Sequence, residues 1–163
     1  MRARLQAHLG SSQVARVVYG SIIGLALVVV VENHPPPTGV VVGWFAGSAV
    51  AVAAAELYSE VIGVETREHH RVTRAQVREM LDDAAAVAFG VAFPAVFFLL
   101  AGLGVLEQGT AFAVAKWSGV ALIGSYGYWA ARSAGAPVLR ALAQAAVIAL
   151  IGVGLIVLKA LLH

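Results

Sequence analysis

The chain contains no cysteine and, in 163 residues, only 12% charged side chains. Without cysteine there can be no disulfide scaffold, no thiolate zinc site and no cysteine nucleophile. A soluble domain carries about 25% charged residues, so half that level excludes a water-soluble globular domain. The same composition excludes a disordered chain, which needs low hydrophobicity. A net charge of +2 is too small for a nucleic-acid partner, even with a pI near 9.3. There is no P-loop, no G-x-S-x-G, no H-E-x-x-H and no Ser/His/Asp arrangement, and no enzymatic activity is expected.

What is abundant is apolar sequence: 60% of the residues, with a mean hydropathy of +0.85. Long uncharged runs cover 17–31, 35–55, 84–106, 117–131 and 141–158. They are continuously apolar rather than alternating, which argues for helices and against a β-barrel. About 20 residues cross a bilayer core as a helix, and neutral flanks extend the two shorter runs to that length. The expectation is an all-α polytopic membrane protein, one domain over 1–163, with five transmembrane helices near 14–32, 38–58, 84–106, 110–131 and 138–159. The first is not read as a cleaved signal, because Glu32-Asn33-His34-Pro35 follows it where a small-residue cleavage site would stand.

Lys and Arg bias sets the expected orientation. With a cytoplasmic N-terminus, nine arginines (2, 4, 16, 67, 71, 74, 78, 132 and 140) fall on the inner side, and Lys116 and Lys159 on the outer. This predicts N-in and C-out in the inner or plasma membrane, with the lipid bilayer as the first partner. Small-residue pairs, Gly20/Gly24 and Gly43/Gly47, let helix backbones approach. They serve either packing within the bundle or a homodimer seam. Pro94 should kink the third span. Lys116 is expected to snorkel beside Trp117 or to pair with Glu107 or Glu32.

The chemistry is concentrated between the second and third spans. Residues 59–83 are expected to form a short amphipathic cytoplasmic helix lying along the membrane surface. Across 56–83 stand seven acids and four arginines. Glu56 and Glu60 are spaced i,i+4 and share a helix face, and so do Glu65 and His69, with Glu68 beside them. Carboxylate with imidazole suits Fe, Mn or Zn, so Glu56, Glu60, Glu65, Glu68 and His69 are the candidate metal ligands. Salt bridges from the interleaved arginines, such as Arg67 or Arg71 to Glu60, are the alternative use of the same acids.

The layout resembles the vacuolar iron transporter family. The end of the second span, Ala53-Ala54-Ala55-Glu56-Leu57-Tyr58-Ser59, is similar to that family's Ala-Ala-Gly-Glu-Tyr-x-Ser. Pro94 in the third helix, and Pro137 and Arg140 before the last, are similar too. Where the family has Asp-Gly early in its first helix, Tyr19-Gly20 stands here. The resemblance implies a homodimeric exchanger of Fe or Mn against protons, with the divalent metal as substrate and Glu56 and Glu60 at the exchange site. A non-transporting accessory or scaffold subunit of a membrane complex is the alternative expectation.

Overall fold

The computed structural model of the chain describes residues 12–162. Among them are six helices and no strand: α1 (Ser12–Val31), α2 (Thr38–Glu68), α3 (Arg74–Ala92), α4 (Ala95–Gly102), α5 (Gln108–Ser133) and α6 (Val138–Leu162). The connections are short, so the long elements run up and down. The start of α1, the end of α2, the start of α3 and the end of α5 therefore share one end of the bundle.

By length and apolarity α1, α2 and α6 can each cross a membrane, and the bent pair α3–α4 makes a fourth candidate. α5 has 26 residues but is less apolar and is not among them. α1 is the central element: half of its apolar stretch is buried, against 17% for α2 and 11% for α6. It packs on α3 along one side and on α5 and α6 along another, while α2 lies outside against α3 and α4.

Glycine decides how closely α1 and α3 approach. A Cβ added at Gly90 would sit 2.5 Å from the Ser21 nitrogen and 2.6 Å from the Val17 carbonyl oxygen. One added at Gly20 would meet the Val87 carbonyl. Backbone thus touches backbone, as small residues allow in an apolar medium. The Gly20/Gly24 pair serves packing within the chain. Gly43 and Gly47 do not: each is exposed, with nothing within 4 Å of an added Cβ.

Two apolar clusters fill the bundle. Phe45, Phe98 and Phe112 anchor one, with Phe45 stacked on Phe98 at 5.8 Å and Phe112 edge-on to Phe98 at 4.7 Å. Such offset and edge contacts are the preferred aromatic geometries. Leu25, Val29 and Ile123 form the second, where α1 meets α5 and α6.

One departure from the sequence reading stands out. Residues 59–83 form no separate amphipathic helix: 59–68 continue α2, 69–73 turn, and 74–83 open α3. Charge does not end a helix; backbone signals do. The turn comes at His69, in the left-handed region with φ 52° and its N–H on the Glu65 carbonyl. A capping box between Thr73 and Gln76 then starts α3. At about 46 Å the 31-residue α2 is longer than a bilayer core is thick. The third expected span, 84–106, is bent where Pro94 is expected to kink it. Pro94 has no N–H to give and clashes with the preceding turn, and the axis bends by 49° between α3 and α4.

Candidate functional site

A carboxylate cluster lies at the bundle end shared by α1, α2 and α3. Arg16, in the second turn of α1, reaches both α2 and α3. Its Nη1 pairs with Glu56 Oε1, its Nη2 donates to Glu60 Oε1 at 3.1 Å, and its Nε lies 2.9 Å from Asp83 Oδ2. A guanidinium presents its donors in a rigid plane, so one residue can bind three separate carboxylates. Glu56 and Glu60 come to it from successive turns of one α2 face, and Asp83 comes from the buried face of α3.

The burial is graded. The Arg16 side chain is 22% exposed, those of Glu56 and Glu60 23% and 26%, and that of Asp83 only 7%. Three carboxylates meet one guanidinium, so formal charge is not balanced within the cluster. Glu60 Oε2 is shielded and has no hydrogen-bond partner among the described residues. An unmatched buried acceptor is costly.

The five residues read from sequence as metal ligands divide into two groups. Glu56 and Glu60 join the cluster, and the partner of Glu60 is Arg16 rather than Arg67 or Arg71. Glu65, Glu68 and His69 lie beyond it, exposed, at the far end of α2. Glu68 Oε2 is taken by His70 Nε2 at 2.8 Å and by Gln76 Nε2 at 3.2 Å, which stitches the 69–73 turn to α3. Among the described residues no three His, Asp or Glu side chains are arranged to hold a metal ion.

Arg16 and Asp83 are the members that pattern reading passed over, one as a topology charge and the other as the edge of an apolar run. A signal for Asp83 exists. Met80, Asp83, Val87 and Gly90 follow helical spacing on one face, and all four are buried. An acid inside an apolar stripe needs a partner from another helix, and Arg16 is the cation that α1 offers.

The opposite end of the bundle holds a smaller polar contact. Lys116 Nζ, from the third turn of α5, donates to Glu32 Oε1 at 2.6 Å, with both side chains more than two-thirds buried. Gln108 Nε2 donates to the Pro36 carbonyl at 2.7 Å. These bonds tie the α1–α2 connection to α5. Of the two acids considered for Lys116, Glu32 is its partner.

Comparison with protein-family models, curated proteins and solved structures finds no match for this chain.

Proposed function

We propose that this is a small multi-pass protein of the inner or plasma membrane that exchanges divalent cations, Fe or Mn, against protons at the Arg16–Glu56–Glu60–Asp83 cluster. The carrying observation is the convergence of three carboxylates on one guanidinium at the end of an apolar bundle. In this reading Arg16 is an internal counter-cation. An arriving dication takes its place among the carboxylate oxygens, which suit hard and borderline metals. Protons on the same oxygens compete with the metal, and this competition couples the two ions. The bundle crosses five times, with the arginine-rich end in the cytoplasm. A reporter fused after His163 then reads outside, and one inserted near Arg74 reads inside.

The test is Mn or Fe uptake into proteoliposomes with internal pH recorded together. The parent protein is expected to move metal and protons in opposite directions. Glu60→Gln with Asp83→Asn is expected to abolish both fluxes while the protein still folds. Metal flux unchanged in that double variant removes the cluster from the mechanism.

A second reading has its own observation. Arg16 ties α1, α2 and α3 together, as a static clamp would, while Gly43 and Gly47 leave an unfilled groove on the outside of α2. In this reading the chain is a scaffold, and α2 docks either a second copy or another subunit. Gly47→Leu is then expected to weaken association, measured as mass in mild detergent and in lipid nanodiscs, without lowering the stability of the monomer. A parent protein that moves no metal, binds none and co-purifies with a partner favours this reading over exchange.

A further inference from the structure

We propose that a groove between α1, α3 and α5 binds the primary ammonium headgroup of a zwitterionic aminophospholipid of the phosphatidylethanolamine class. The groove has a volume of about 380 Å³ and is lined by Gln13 and Val17 from α1, Asp82, Ala86 and Phe89 from α3, and Tyr126 from α5. Its size falls in the range of small-ligand sites, about 300–1,000 Å³. It is separate from the Arg16 cluster, and the proposal does not depend on cation exchange there.

The lining is graded along the helix axis. Asp82 and Phe89 are seven residues apart on one face of α3, about 10 Å. Gln13 and Asp82 stand at the polar end of the bundle, while Val17 and Phe89 lie deeper. A ligand with a polar head and an apolar tail fits this gradient in one direction only: head toward Asp82, tail past Phe89.

The polar groups narrow the head chemistry. Asp82 is exposed and has no partner among the described residues, and none of the described Lys or Arg residues lines the groove. An anionic headgroup would face Asp82 uncompensated. Gln13 Oε1 is shielded and has no donor among the described residues. The Asp82 carboxylate only accepts, and the Gln13 carbonyl oxygen adds a second acceptor beside the Gln13 amide's own donors, so a head that brings N–H donors together with positive charge matches the pair best. A primary ammonium brings three, whereas a choline headgroup brings charge but no N–H. The Tyr126 hydroxyl is the donor available to the phosphate or ester oxygens of the same lipid.

The experiment is native mass spectrometry of the full chain in mild detergent, titrated with phosphatidylethanolamine, phosphatidylcholine and phosphatidylglycerol of identical acyl chains. The ethanolamine lipid is expected to be retained about tenfold better than either of the others, the size of one charge-assisted hydrogen bond. Asp82→Asn and Gln13→Leu are each expected to reduce its retention to the choline level. Tyr126→Phe is expected to weaken all three lipids while keeping the preference. Equal retention of the ethanolamine and choline lipids by the parent protein overturns the proposal. So does a preference that survives Asp82→Asn.

Discussion

Replacing Gly90 with alanine tests the α1–α3 packing directly. In most helix positions the change stabilises by about 0.5–1 kcal/mol, because alanine loses less backbone freedom on folding. At Gly90 the new methyl falls 2.5 Å from the Ser21 nitrogen and 2.6 Å from the Val17 oxygen, where ordinary contact begins at 3.4 Å. Both obstacles are backbone, so no rotamer change relieves them. The two helices must part by about 0.9 Å, and a gap of that size forfeits a quarter to a half of each dispersion contact along the seam. Overpacking of this kind costs about 1–3 kcal/mol. Gly154→Ala in α6 is the matched control, since an added Cβ there meets nothing within 4 Å. The two variants should differ by about 3 kcal/mol, or roughly 6–12 °C in Tm. Tryptophan fluorescence during heating in detergent reads it, with Trp44, Trp117 and Trp129 as reporters. If Gly90→Ala melts together with Gly154→Ala, the close approach of α1 and α3 is refuted.

Arg16→Gln leaves three carboxylates facing one another and is expected to destabilise by about 3 kcal/mol; adding Glu56→Gln and Asp83→Asn should restore most of the loss in the same melting assay. A double-mutant cycle on Lys116→Met and Glu32→Gln is expected to give a coupling of about 1 kcal/mol, because the pair is only partly buried; additive effects would mean that it contributes nothing. Thr73→Ala removes the hydroxyl that accepts from the Gln76 N–H and should cost about 1 kcal/mol. Faster amide exchange confined to the first turn of α3 would check it.

The all-helical class and the apolar, membrane-compatible character of the chain were legible from sequence alone, because long uncharged runs can satisfy their backbone inside a bilayer only as helices. Pro94 announced its bend, since a missing N–H acts locally. Helix ends were less legible. Charges at 59–83 suggested a surface element, yet the chain turns only at His69, and the cap that restarts it is a contact between two side chains and the backbone. Glu56 and Glu60 could be placed together by their spacing within one helix. Their union with Arg16 and Asp83 depended on which faces of α1, α2 and α3 meet, and the meeting of α1 with α3 rests on the space left by Gly20 and Gly90. The same holds for the two glycine pairs. Gly20/Gly24 and Gly43/Gly47 are identical as patterns, and only the packing made one an internal seam and left the other bare. Periodicity reports which residues share a face, but what a face touches is decided by contacts between residues far apart in the chain.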